Sequence, residues 1–178
     1  GSEMCIRDRA CDLILDKTGA GMDYIKQEIE KLVSYCQGRD VVTVEDVEKV
    51  CTTQTTSHIF DMISAIANKK QQQALDLYYD LLELKEPPMR ILYLIVRQFN
   101  GILQVKDLMS RGISGKEIAS KIGAAPFVAS KYQAQAKYFE MNTLLDALNE
   151  CAKTEEAVKQ GRLNDRLGVE LIIIKYSK

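Results

Sequence analysis

The sequence is poor in the residues that build metal sites and disulfide frameworks. Among its 178 residues are a single histidine, His58, and five cysteines, none of them in a CxxC pair. The cysteines are Cys5, Cys11, Cys36, Cys51 and Cys151. An odd number without paired spacing argues against both a disulfide framework and a zinc site, so reduced thiols in a cytosolic protein are the simpler interpretation.

Catalytic and phosphate-binding motifs are missing as well. His58 has only Ser57 and Ile59 beside it at a predicted helix start, which favours a capping or surface role over a nucleophile–base pair. The glycines of TGAGMDY lack the GxGxxG spacing and are not followed by GK[ST], so no ATP site can be built from this chain alone. We therefore predict no catalytic, cofactor-binding or metal-ligating residues.

Long apolar runs are also absent. A membrane-spanning helix needs roughly 20 apolar residues, and Arg97 interrupts the longest apolar helix of this sequence. With 46% hydrophobic and 28% charged residues, the composition is that of a soluble globular protein. No segment is expected to span a membrane.

Helical periodicity is present almost without pause from about Ala10, and it predicts an all-α fold. A first helix should end at Lys17 and a second at Gly38, and Thr43 with Asp46 has the spacing of a capping box. The tail around Ile172 would suit a buried strand, but no partner strand is predicted elsewhere. The tail is therefore predicted to be a helix.

Further helix boundaries follow from capping residues and prolines. Ser57 and Ser114 are predicted N-caps, the first of a helix that Asn68 closes, and Pro87–Pro88 is predicted to open the longest helix. The short helix that Ser114 caps should end at Gly123, and a second short helix should begin at Pro126. A long helix should then run to Gly161.

Two segments mark the organisation of the chain. Residues 1–9, GSEMCIRDR, have no apolar period and begin like an expression tag. They also resemble a translated sequencing-adapter remnant. We therefore expect a non-native or unstructured start, with native sequence missing upstream. The polar string TTQTTS, residues 52–57, is a predicted linker and domain boundary.

Charge is unevenly distributed along a nearly neutral chain. Residues 89–138 have a net charge of +6, against −6 for residues 1–88 and −1 for residues 139–178. The candidate partner-facing or DNA-facing residues of the basic block are Arg90, Arg97, Lys106, Arg111, Lys121, Lys131 and Lys137. Lys116 lies in the same block. The block is either an ordinary solvated helix surface or a surface for an acidic protein or a phosphate backbone.

One pattern in this block suggests a helix-turn-helix. In SGKEIASKIGAAPFVASKYQAQ a second helix would place Ala125, Phe127, Lys131 and Tyr132 near base edges. That helix offers no arginine, asparagine or early glutamine for bidentate base contacts, and its aromatic residues suit a core. A stand-alone DNA-binding protein is therefore the alternative hypothesis.

Several segments together resemble a known family. They are TGAGMDYIKQEIEKL, TVEDVEKV, SHIFDMISAI, PPMRILYLIVRQFNGILQVKDL, IGAAPFVASKYQAQAKYF and VKQGRLNDRLGVELIII. In this order, from about Asp12 to the end, they resemble the C-terminal part of the delta subunit of the bacterial DNA polymerase III clamp loader.

The resemblance implies two helical domains and a non-catalytic role in DNA replication. Residues 10–53 would form most of an AAA+-type lid domain, and residues 56–178 a collar domain of about seven helices that joins other clamp-loader subunits in a ring. Active lid domains often carry an arginine where Met22 and Asp23 align, and an aspartate there would repel phosphate. The resemblance therefore implies a fragment that does not hydrolyse ATP.

The same resemblance bears on partners and location. The family's N-terminal domain contacts the sliding clamp, and no counterpart of it is found in this sequence, so the sliding clamp is not an expected partner of the fragment. Primer-template DNA entering the ring is a further candidate partner of the basic block. A bacterial cytoplasmic location is implied.

Overall fold

The structure is a computed structural model that describes residues 5–6, 10–11, 13–14, 22–50, 54–113, 115–124 and 126–178. These residues form nine named helices and one pair of very short strands, which confirms the predicted all-α class. The helices are α1 (Met22–Tyr35), α2 (Val44–Val50), α3 (Gln54–Ala67), α4 (Gln71–Glu83), α5 (Pro88–Ser110), α6 (Lys116–Ile122), α7 (Pro126–Ala136), α8 (Met141–Lys159) and α9 (Asp165–Tyr176). The strands are β1 (Cys5–Ile6) and β2 (Val41–Val42).

The chain divides into two compact units, residues 1–57 and residues 58–178. In the first unit β1 pairs in parallel with β2, with Cys5 opposite Val41 and Ile6 opposite Val42. Residues 10, 11, 13 and 14 are helical, but the predicted end of that helix at Lys17 lies outside the described residues. The described core of this unit consists of Ala10, Ile14, Leu32, Cys36, Val42, Val47 and Val50.

The start of α2 has the predicted capping box. The Thr43 backbone N–H donates to Asp46 Oδ2 at 2.9 Å, and the Asp46 backbone N–H donates to Thr43 Oγ1 at 3.3 Å. These two bonds satisfy donors that a helix start otherwise leaves open. Gly38, with φ +90°, follows α1 where the sequence predicted the end of that helix.

The predicted linker is wrong in part, because α3 begins at Gln54. Ser57 is therefore inside the helix and not its N-cap, and His58 is a half-buried residue within the helix. Threonine and serine are weak helix formers that signal a loop, but the apolar residues after them override that preference. Ile59, Phe60, Met62 and Ile63 are buried on α3 and extend the helix into the core.

The second unit is built around α5, which packs against α6, α7, α8 and α9. Pro88 opens the helix as predicted, with Pro87 in an extended conformation as its N-cap. Its buried residues include Ile91, Ile95 and Phe99. The buried stripe is broad because neighbouring helices cover more than one side of α5.

A glycine allows α5 and α7 to approach closely. A Cβ atom on Gly101 would stand 2.6 Å from two ring carbons of Tyr132, which is closer than any relaxed van der Waals contact. Tyr132 also packs against Phe60, with ring centroids 5.5 Å apart. This ring therefore fills the space between α3, α5 and α7.

The remaining helix ends agree with the sequence where they can be compared. Gly123 is the left-handed C-cap of α6, Pro126 opens α7, and Gly161 follows the end of α8 with φ +69°. Ser114 lies outside the described residues. The tail is the predicted helix, α9, and Asn164 caps it by accepting from the Leu167 N–H at 3.1 Å.

Candidate interaction surfaces

No metal site is evident in the described part of the chain. No group of three or more His, Cys, Asp or Glu residues could hold a metal ion there. Cys36 and Cys151 are buried and Cys11 is exposed. Burial raises the pKa of the Cys151 thiol to about 12, so this sulfur stays protonated at neutral pH. Among the described helices, none is long and apolar enough to cross a bilayer.

Three of the seven predicted basic residues form ion pairs one helical turn away. Arg90 Nε lies 3.1 Å from Glu86 Oε2, Arg111 Nη2 lies 2.8 Å from Asp107 Oδ2, and Lys121 Nζ lies 3.7 Å from Glu117 Oε1. Such exposed pairs contribute little to stability. They do reduce the charge that these cations offer to a partner.

Three other predicted residues lie around α7. Lys106 reaches from α5 and donates from Nζ to the Ala136 carbonyl oxygen at 3.0 Å, next to the exposed Lys137. Both cations therefore lie at the C-terminal end of α7, where the helix dipole favours positive charge. Lys131 lies on that helix itself, with its Nζ 4.7 Å from the centre of the Phe60 ring. The structure thus divides the basic block among several local environments.

Arg97 is the remaining predicted residue, and it is exposed on α5. No ion pair found within the described ranges involves Arg97. Burial raises the pKa of the Tyr132 phenol, and the positive charge of Arg97 opposes that rise, which shows that the guanidinium lies near the α5–α7 contact.

The helix-turn-helix hypothesis is not supported. Tyr132, which would have to reach base edges, is only 8% exposed and packs on Phe60 and beside Gly101. Phe127 is half-buried, Lys131 lies over the Phe60 ring, and Ala125 lies outside the described residues. The second helix of the proposed motif therefore faces the core with side chains that base recognition would need at the surface.

A further surface, on α9, carries exposed apolar residues. Leu167 and Leu171 are 47% and 48% exposed, and Ile174 is half-exposed beside them. Their spacing of three, four and seven residues places them on one stripe of the helix. We call Leu167, Leu171 and Ile174 the α9 stripe.

Polar contacts fix α9 against α4 and α8. Tyr78 Oη donates to the Arg166 carbonyl oxygen at 2.9 Å, and Tyr79 Oη donates to Glu170 Oε1 at 2.9 Å. On α8, Asp146 accepts from Tyr176 Oη at 2.6 Å and pairs with Lys175 Nζ at 3.3 Å. Burial and the bond to Asp146 raise the pKa of Tyr176 to about 12. The α9 stripe is therefore presented by a helix held in a defined position.

Residues 56–176 match the family described as DNA polymerase III delta subunit, C-terminal domain. This match covers more than half of the chain. The chain belongs to the DNA polymerase III delta subunit family.

Individual members of the delta subunit family are similar over most of this chain. The DNA polymerase III subunit delta of Bacillus subtilis is 32% identical over 154 residues, which cover 86% of this chain and 44% of that protein. The probable DNA polymerase III subunit delta of Aquifex aeolicus is 20% identical over 146 residues, covering 81% and 41%. The chain spans less than half the length of these two delta subunits.

A solved delta structure agrees with the fold. The chain is similar to the Bacillus subtilis DNA clamp loader delta protein with a TM-score of 0.69 and 29% identity, over 98% of this chain and 52% of that one. The family resemblance inferred from the sequence motifs is therefore confirmed.

Sequence reasoning missed two surface features of this delta family member. The sequence analysis did not single out the α9 stripe, although the spacing of its apolar residues signals one face of a helix. Tyr93, which is 63% exposed on α5, was also missed. The spacing of Arg90, Tyr93 and Arg97 at three and four residues was the available signal.

Proposed function

We propose that the chain is a non-catalytic part of a bacterial clamp loader and acts in DNA replication in the cytoplasm. The observation that carries this proposal is the match of residues 56–176 to the C-terminal domain of the delta subunit. In this proposal residues 10–53 form most of a lid domain and residues 56–178 form a collar domain. The division between residues 57 and 58 and the seven helices described from Gln54 onward support it.

The collar would join the chain to other clamp-loader subunits, and we propose the α9 stripe as a contact face. Half-exposed leucines on a fixed helix supply the apolar centre that a stable protein interface needs. The basic block is a weaker candidate for this contact, since Arg90, Arg111 and Lys121 already form ion pairs on their own helices. Lys106 and Lys131 are likewise engaged within the unit.

ATP hydrolysis is not part of the proposed function. The chain lacks a phosphate-binding glycine motif. The helix α1 begins at Met22, near the place where active lid domains carry an arginine, and the side chains of Met22 and Asp23 lie outside the described residues. Hydrolysis of ATP by the purified chain would contradict this part of the proposal.

Co-elution with the loader ATPase subunits tests the assembly role. The full chain should co-elute with them in size-exclusion chromatography. The variant Leu171→Asp should weaken that association about ten-fold or more, because it places a charge in the centre of the apolar contact. The matched control is Leu84→Asp, since Leu84 is 47% exposed at the end of α4 and not on the α9 stripe.

Two results would count against the proposal. Failure of the unmodified chain to associate with the ATPase subunits would reject the assembly role. Equal loss with Leu84→Asp and Leu171→Asp would reject the α9 stripe as the contact face. Circular dichroism spectra of both variants, compared with the spectrum of the unmodified chain, test whether a loss of binding comes from unfolding.

A further inference from the structure

Two turns of the chain place a lysine in a backbone conformation that usually belongs to glycine. Lys69, after α3, has φ +59°, and Lys85, after α4, has φ +61°. The Lys69 N–H donates to the Ile66 carbonyl oxygen at 3.1 Å, and the Lys85 N–H donates to the Leu82 carbonyl oxygen at 2.9 Å. Both turns therefore end a helix with the same left-handed cap, in which a Cβ atom is strained. The two lysines are equivalent in backbone geometry.

The side chains of these two lysines differ in what they contact. Lys69 Nζ donates to the Tyr176 carbonyl oxygen at 3.3 Å. This bond joins the turn between α3 and α4 to the last residue of α9. For Lys85, neither a side-chain hydrogen bond nor an ion pair is found in the portion of the chain that the structure describes. Only the first of the two equivalent lysines thus reaches α9.

The carbonyl that Lys69 contacts belongs to a helix end without a glycine cap. Gly123 and Gly161 follow α6 and α8 in the left-handed conformation, whereas the C-cap of α9 is Ser177 with φ −97°. The last carbonyl groups of a helix have no partner within the helix, and the helix dipole favours a cation beside them. Lys69 supplies both a donor and a positive charge to this end of α9.

The same end of α9 carries part of the α9 stripe. Ile174 lies in the last turn of the helix, two residues before Tyr176. Hydrogen bonds from α4 hold the first half of α9, and Lys175 in the last turn pairs with carboxylates of α8. Lys69 contacts the last turn from the turn between α3 and α4. The Ile174 end of the stripe is therefore held from two separate segments.

We propose that Lys69 is a positioning residue, whose ammonium holds the last turn of α9 and with it the Ile174 end of the α9 stripe. The consequence for a partner rests on the proposed function of the stripe. The positioning itself does not, because it can be measured on the chain alone.

Hydrogen exchange of the full chain tests the positioning without a partner. Lys69→Met keeps a long side chain and removes the ammonium. The amides in the last turn of α9 should then exchange about two- to five-fold faster, the range expected for loss of one charge at a helix end. The matched control is Lys85→Met, which removes the same charge from the equivalent left-handed position. It should leave the exchange of the α9 amides unchanged.

Two further substitutions of Lys69 separate its charge from its backbone conformation. Lys69→Arg keeps a cationic donor on a long side chain, so it should restore the exchange of the α9 amides to the unmodified rate. Lys69→Gly removes the ammonium and the backbone strain together. It should slow exchange in the turn between α3 and α4 while the last turn of α9 exchanges faster. Lys85→Gly should slow exchange in its own turn and leave α9 unchanged.

Co-elution with the loader ATPase subunits measures the consequence for assembly. Lys69→Met should weaken the association about two-fold or more, because binding must then order the last turn of α9. Lys85→Met should not weaken it. Failure of the unmodified chain to associate would reject the proposed function, and the exchange measurements would still decide whether Lys69 positions α9.

Three exchange results would overturn the inference. The first is unchanged exchange of the last turn of α9 in Lys69→Met. The second is the same acceleration of α9 exchange in Lys69→Met and Lys85→Met, since a general loss of charge would then explain both. The third is acceleration in Lys69→Arg as large as in Lys69→Met, because the cation would then have no part in holding the helix end.

Discussion

The two compact units bury different kinds of side chains. The unit of residues 58–178 has a continuous apolar core around α5, in which Phe99 and Phe139 meet edge to face with centroids 5.8 Å apart. In the unit of residues 1–57, the buried Asp46 accepts from Thr43 and from Arg39, beside the small core that contains Cys36 and Val47. The comparison indicates that burial of apolar side chains contributes most of the stability of the larger unit. In the smaller unit a charged, hydrogen-bonded cluster contributes a larger part of the stability.

The largest expected effect is on the apolar core. Phe99→Ala should lower the free energy of unfolding of residues 58–178 by about 3–5 kcal/mol, because Phe99 is fully buried and its removal leaves a cavity beside Phe139. Hydrogen exchange of the α5 and α8 amides measures the loss. Tyr93→Ala on the same helix removes an exposed ring and should change stability by less than about 0.5 kcal/mol. A comparable loss in both variants would contradict the picture of an apolar core.

A smaller effect is expected from the polar contact inside the larger unit. Gln135 Nε2 donates to the Phe60 carbonyl oxygen at 2.9 Å, and Gln135 Oε1 accepts from Gln98 Nε2 at 2.7 Å. Gln135→Ala should cost about 1–3 kcal/mol, because it leaves the buried amide of Gln98 and the Phe60 carbonyl without these partners. Thermal unfolding monitored by circular dichroism measures the cost.

The matched control for this variant is Gln133→Ala, since Gln133 lies half-buried on the same helix. It corrects for the better helix propensity of alanine. If Gln133→Ala destabilised the chain as much as Gln135→Ala, the buried hydrogen bonds of Gln135 would contribute nothing measurable to stability. The larger unit would then depend on its apolar core alone.

Local signals in the sequence predicted much of the fold. The Thr43–Asp46 box, Pro88 at the start of α5 and Gly123 at the end of α6 are confirmed, because each acts within one turn of its own helix. The start of α3 at Gln54 could not be found in this way, because burial of Ile59 and Phe60 decides it.

The candidate surfaces were less predictable. The pair of Arg111 with Asp107 has a spacing of four residues and could have been read from the sequence. In contrast, Lys106 binds the Ala136 carbonyl and Lys131 lies over Phe60 because distant segments come together in the fold. Charge counting along the chain therefore located the basic block but not the cations within it that remain available.

The smallest expected effect, and one that depends on pH, is in the smaller unit. Burial alone would raise the pKa of Asp46, but hydrogen bonds from Thr43 and Arg39 outweigh burial and lower it. Because the folded-state pKa is the lower one, the stabilisation is complete above the pKa of an unfolded aspartate, about 3.9. It is lost as pH falls through the folded-state value.

The variant Asp46→Asn tests the direction of this pKa shift and the pH dependence of stability that follows from it. The substitution removes the charge that Arg39 Nη2 contacts at 2.8 Å, and it should cost about 0.5–2 kcal/mol at neutral pH, as for the loss of a helix-start contact. Hydrogen exchange of the α2 amides measures the cost. The difference from the unmodified chain should shrink as pH falls below about 4, because the native carboxylate is then protonated and loses the same charge.

Asp40→Asn is the control, since Asp40 is an exposed acidic residue between α1 and α2. It should leave the α2 amides unchanged at neutral pH. A difference between Asp46→Asn and the unmodified chain that persisted undiminished at low pH would mean that the start of α2 depends on the two acceptor oxygens of Asp46, one of which the amide replaces with a donor, and not on its charge. The smaller unit would then differ from the larger one in its hydrogen bonds and not in a buried charge.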